Sequence, residues 1–134
     1  MGYITRKKEN KNMTLENLFN KYPKIFNQNY KYKINWYSIP NTWIELVDNL
    51  CETIQQYIDH NDVHQVECTT LKEKFGSLRF YYTGGDDYVS GMVWFAENLS
   101  IKLCIECKST KNVQSTDGWI SYLCEDCYNK KQNK

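Results

Sequence analysis

Between Thr42 and Asn61 apolar residues return every three or four positions: Trp43, Val47, Leu50, Ile54 and the pair Tyr57/Ile58. Glu45, Asp48, Glu52, Gln55, Gln56 and Asp59 take the other side, so the segment predicts an amphipathic helix, with Cys51 in its apolar face as a small hydrophobe. Thr42 and Glu45 stand at capping-box spacing after Pro40, which places the helix start there and its end near His60-Asn61. Past Val63 the period changes to two. Val66, Cys68 and Thr70 alternate with Gln65, Glu67 and Thr69, and Leu78, Phe80 and Tyr82 alternate with Arg79, Tyr81 and Thr83. With Gly76 free to adopt the backbone angles of a tight reversal, this pattern predicts a β-hairpin. Gly84-Gly85 closes the second strand, Asp86-Asp87 suits a helix entry, and Tyr88, Met92, Phe95, Ala96 and Leu99 recur at helical spacing.

Upstream, Thr14 opens a short helical pattern of Leu15, Leu18 and Phe19 that must end before Pro23, which cannot sit inside a helix. From Phe26 to Tyr37, Asn, Lys and Tyr mix without a period, which predicts an irregular stretch lending aromatics such as Trp36 to the core. The fold class expected is α+β: two main helices packed on a β-hairpin, continued by a C-terminal finger. The corresponding division is a flexible basic N-terminus at 1–12, a body at 13–103, a finger at 104–128 and a flexible tail at 129–134.

The finger rests on Cys104-Ile-Glu-Cys107 and Cys124-Glu-Asp-Cys127, two C-x2-C pairs separated by sixteen residues. That is the spacing of a four-thiolate Zn2+ site, in which each pair wraps a knuckle and four sulfurs close a tetrahedron around an ion with no redox demand. Asp117-Gly118 as a turn and Trp119 to Leu123 as a strand suggest a zinc ribbon or treble-clef-like finger. A full cage leaves no position for water, so the zinc expected here is structural. Disulfides suit secreted chains, and thioredoxin-like chemistry wants its C-x-x-C in a βαβ unit; neither context is visible.

Composition narrows the field. The 134 residues are 41% hydrophobic, 15% aromatic and 25% charged, enough for a packed core. No run approaches the roughly 20 apolar residues of a membrane span, and Met1 to Met13 lacks the apolar stretch of a secretion signal, so the address expected is cytoplasmic. The net charge of +1 hides an uneven distribution: residues 1–33 sum to +6, residues 34–103 to −6 and the rest to +1. An acidic body repels phosphate backbones unless its basic groups gather on one face. The basic head, with Arg6, Lys7, Lys8 and Lys11 followed by Lys21, Lys24, Lys31 and Lys33, reads either as an arm for an acidic partner or as a solvated tail.

With two histidines in the chain, and no P-loop or GxSxG, no catalytic set emerges. His60 and His64 straddle the expected helix end and read as part of a polar loop. The candidate partner- or ligand-binding residues are Lys72, Lys74, Phe75, Arg79 and Tyr81 of the hairpin and Trp119 of the finger, with cationic and stacking groups on one surface. The competing account makes the hairpin purely structural, its charges facing water.

Lys72 to Tyr81, preceded by the Trp43-x6-Leu50-Cys51 helix and followed by Ala96-Glu97, Ser100, Cys104-x2-Cys107, Gly118-Trp119 and Leu123-Cys124, resembles a family of small uncharacterised phage- and prophage-encoded proteins. In these a KEKFGGLRFY-like motif precedes a zinc finger. The resemblance spans about residues 36 to 128; Ser77 stands at the motif's second glycine, and Cys127 where some members have histidine. It implies a zinc-bearing accessory protein, acting in a bacterial host cytoplasm if phage-encoded, and brings no catalytic residues. The first functional reading is accordingly a non-enzymatic zinc protein that modulates a host or viral protein. A second is nucleic-acid binding, adding Lys108 and Lys111 as phosphate contacts, and a third is a sponge or pocket for a small nucleotide.

Overall fold

The computed structural model describes residues 13–27 and 36–132. Helix α1 (Leu15–Lys21) starts at a reciprocal cap: the Asn17 N–H donates to the Thr14 hydroxyl, and the Thr14 N–H donates to the Asn17 side chain at 2.8 Å. The turn after it, closed by the Ile25 and Phe26 N–H groups on the Tyr22 carbonyl, delivers Tyr22, Ile25 and Phe26 to the core.

Strand β1 (Trp36–Ser38), helix α2 (Ile44–Asp59) and strand β2 (Glu67–Lys74) form a strand–helix–strand unit. β1 runs parallel to β2, Trp36 opposite Thr70 and Ser38 opposite Lys72, and a parallel partner has to be reached through a crossover, here α2. β3 (Ser77–Thr83) returns antiparallel, giving a three-stranded mixed sheet in the order β1-β2-β3. A bulge between Cys68 and Thr70 lets Cys68 and Leu71 both face the core although three positions apart. The inward row is therefore Cys68 then Leu71, and Thr70, expected inside by strict alternation, faces outward with Trp36 and Tyr81 opposite it.

The reversal between β2 and β3 is Phe75-Gly76, with φ of 54° and 79°, the left-handed pair of a type I′ turn. Gly76 has no room for a side chain, because an added Cβ would stand 2.9 Å from the Tyr122 ring. Phe75, 67% exposed, holds a conformation that favours Asn or Gly.

Helix α3 (Asp87–Ser100), capped by Asp86 accepting from the Val89 N–H, lies along β3. The Leu78 N–H donates to the Ser100 hydroxyl and the Phe80 N–H to the Glu97 carboxylate, each at 2.9 Å. α2 and α3 cover one face of the sheet, where Val47, Ile54, Leu71, Leu78, Phe80 and Val93 share one apolar cluster. Beyond α3 come β4 (Gln114–Ser115), which pairs antiparallel with β5 (Tyr122–Leu123), and α4 (Glu125–Gln132). The four helices and small mixed sheet make the described residues α+β.

Several local expectations are corrected. α2 begins at Ile44, after a 3-10 turn at Asn41–Trp43, with no side-chain cap. Thr42 instead donates its hydroxyl to the Ile105 carbonyl at 2.7 Å, tying the body to the C-terminal segment. Asp48 is buried on the core side because the Tyr22 hydroxyl, at 2.5 Å, and Lys21 Nζ, at 3.0 Å, meet it there. Trp36 is 62% exposed. Its neighbour Tyr37 points the other way and packs against Phe19 and Phe26. On α3 the buried stripe is Val89, Val93, Ala96 and Ser100, since Glu97 and Ser100 must face β3; Tyr88 and Phe95 are exposed. The strand expected over Trp119–Leu123 is confined to Tyr122–Leu123, and α4 runs to Gln132, past the 128 boundary. The basic head at 1–12, with Lys31 and Lys33, lies outside the described residues.

Two substitutions test this packing. Tyr22→Phe leaves Asp48 buried without its phenol donor and is expected to cost about 1–3 kcal/mol in urea unfolding. Phe75→Asn relieves the turn and is expected to raise stability by up to about 1 kcal/mol in the same assay.

Candidate metal centre and adjoining cleft

Each cysteine pair is presented by its own local geometry. After Cys104 the chain folds back so that the Lys108 N–H donates to the Cys104 carbonyl and the Cys104 N–H to the Ser109 carbonyl, with Lys108 in a left-handed conformation. Cys124 immediately precedes α4 and Cys127 lies in its first turn, where the Cys127 N–H points at Cys124 Sγ, 3.5 Å away. The helix start adds positive potential there, which favours thiolates. β4 and β5 carry the chain from one pair to the other.

The four sulfurs lie within 4.8 Å of one another, and Cys107 and Cys124 are 3.7 Å apart. Four sulfurs at about 2.3 Å from a tetrahedral ion stand about 3.8 Å from each other. The donor set and its spacing thus fit a metal ion bound by four thiolates, and among the described residues it is the one such group of His, Cys, Asp and Glu. Without a cation the sulfurs cannot all be ionised: Cys127 is pushed up to about 12 by its hydrogen bonds to Cys104 and Cys124. Burial pushes the Cys104 thiol up, but backbone N–H donors outweigh it and the group settles at about 7.

The remaining cysteines are apart from this centre. Burial pushes the Cys51 and Cys68 thiols well above their ordinary range, as suits inert core side chains. His60 and His64 are exposed at the end of α2, and His60 Nδ1 lies 2.8 Å from the Gln56 carbonyl oxygen, a local contact.

Alongside the cysteine centre runs a cleft of about 900 Å3 between the outer face of the sheet and the C-terminal segment. Trp36, Thr70 and Lys72 line it from the sheet; Ile105, Glu106 and Trp119 line it from the other side. Ile105 and Glu106 are the two residues between Cys104 and Cys107, so the cysteine knuckle is itself part of the wall. A smaller cavity of about 280 Å3 adjoins it, sharing Glu73 and Trp119 and adding Lys74 and Phe75.

Strand register places the sequence candidates. Lys72 is opposite both Ser38 and Arg79, and Thr70 is opposite both Trp36 and Tyr81, so two rows of the outer face hold Lys72, Arg79, Trp36 and Tyr81. Lys72 Nζ lies 5.7 Å from the centre of the Tyr81 ring, and Lys74 Nζ 5.9 Å from that of Phe75. Arg79 Nε is buried without a hydrogen-bond partner. Lys108 departs from the expected cluster, its Nζ lying 3.6 Å from Glu45, and Lys111 is exposed on the C-terminal segment. Trp36, expected in the core, instead lies exposed on the cleft wall. Its signal was an aromatic pair ahead of Pro40, too short to show alternation. No helix among the described residues is long and apolar enough to cross a membrane. No protein-family model, curated protein or solved structure matches the chain.

Proposed function

We propose that the chain is a non-enzymatic binding protein in which a structural zinc ion, held by Cys104, Cys107, Cys124 and Cys127, fixes one wall of a ligand-binding cleft. Knuckle, paired strands and helix follow one another in the order of a treble-clef-like finger. Zinc suits the set because four thiolates satisfy a d10 ion completely, and a closed cage supplies cohesion rather than an activated water. The observation that carries the reading is that Ile105 and Glu106, between two of the cysteines, line the same cleft as Trp36 and Lys72 of the sheet. Metal affinity thereby becomes order in the binding surface. In isolated finger peptides such binding contributes on the order of 10 kcal/mol. The resemblance in sequence adds a phage-encoded accessory role to this proposal, with the cytoplasm as its setting.

Elemental analysis of protein purified under reducing conditions is expected to find one zinc per chain. Cys124→Ser should abolish that stoichiometry and bring the tryptophan emission spectrum close to that of chelator-treated protein, while α2 and α3 retain their helical circular dichroism. Full zinc retention in Cys124→Ser would reject the assignment. Cys51→Ala is expected to keep its zinc and to cost roughly 1–3 kcal/mol through lost packing.

A further inference from the structure

We infer that the ligand of the cleft is single-stranded nucleic acid, lying across the outer face of the sheet with bases on Trp36, Trp119 and Tyr81 and phosphates on Lys72, Lys74 and Arg79. This rests on the binding-protein reading above and names its ligand. The two indoles are 62% and 85% exposed, line one cleft, and stack on no other ring among the described residues. Flat rings held in this way offer a face to any unstacked base, whereas the bases of a duplex already stack on each other.

The charge distribution agrees. The segment from 34 to 103 is acidic as a whole, yet Glu45, Glu52 and Asp59 sit on α2 and Asp87 and Glu97 on α3, the helices that cover the opposite face of the sheet. Lys72, Lys74 and Arg79 form no ion pair among the described residues. Two carboxylates reach the cleft: Glu73 accepts a 2.7 Å hydrogen bond from the Gly76 N–H, and Glu106 stands on the finger wall. Most of the acids thus lie on the helices; of the sheet residues Glu67 shares the outer face at its far end, opposite Thr83, while Lys72, Lys74 and Arg79 stand beside unstacked rings, which is the make-up of a surface for single strands. A lone mononucleotide would engage one ring and leave the others idle.

The test is fluorescence anisotropy of the full-length, zinc-loaded chain with a labelled oligothymidylate roughly twelve nucleotides long, within the span of known single-strand sites. Saturable binding is expected, with log K falling against log salt at a slope of about −2 for three phosphate contacts. Trp36→Ala and Trp119→Ala should each weaken binding roughly tenfold, as loss of one stacked base does. Both side chains are exposed, so neither change should disturb the fold. Trp94→Ala, on α3 and 71% exposed, should leave binding unchanged. Glu106→Gln should tighten it, a gain that misfolding cannot imitate. Absence of saturable binding at low salt, insensitivity to both tryptophan substitutions, or equal competition by polyglutamate, which would point to an acidic protein surface, would each overturn the proposal. Protein that binds no oligonucleotide but holds its zinc leaves the zinc-stabilised binding reading standing; protein without zinc sinks that reading instead.

Discussion

Four sulfurs brought within 4.8 Å of each other are a constraint before they are a site. As thiolates they repel, and as thiols they are poor hydrogen-bonding groups, so the arrangement is costly until a cation neutralises it. The apolar packing around them is slight. The second cluster buries only Cys104, Leu123 and Cys124, with Ile105, Val113, Cys127 and Tyr128 leaning on it. Burial on that scale cannot offset the conformational entropy lost when the whole C-terminal segment is ordered. Beyond the β4–β5 pairing, the feature of this segment suited to supply further cohesion is the group of four sulfurs, which could hold a metal ion.

The body does not share that weakness. Its cluster runs from Leu18 to Ala96 and includes Trp43, Phe26 and Phe80, all but completely buried. The join between the two parts is made by few contacts: the Thr42 hydroxyl on the Ile105 carbonyl, Lys108 near Glu45, and the Tyr122 ring close against Gly76. Ile105 packs against both clusters. The C-terminal segment is thereby docked on a body with its own core, at the edge of the cleft they enclose.

Much of this was legible in the residues. The periodicity of Trp43 to Ile58 and the spacing of the four cysteines each follow from one strong local rule, and those features stand in the structure. The departures come where tertiary contacts outbid local pattern. Thr42 looks like a cap, but its hydroxyl is taken by a carbonyl sixty-three positions away. Asp48 reads as solvent-facing until Tyr22 and Lys21 enclose it, and the β2 bulge undoes strict alternation at Thr70. The parallel pairing of β1, three residues long, has no signature in a one-dimensional pattern because its partner lies beyond a whole helix. Trp36 was misplaced for that reason, and with it the extent of the candidate surface.

The two hydrogen bonds from β3 backbone N–H groups to α3 side chains carry a consequence for how the molecule meets other chains. Serine and glutamate side chains occupy backbone donors that would otherwise invite an incoming segment, so this border of the sheet is plugged from within. Accretion of a foreign extended chain there would first have to evict them, giving the molecule a built-in defence against ladder-like self-association along that margin.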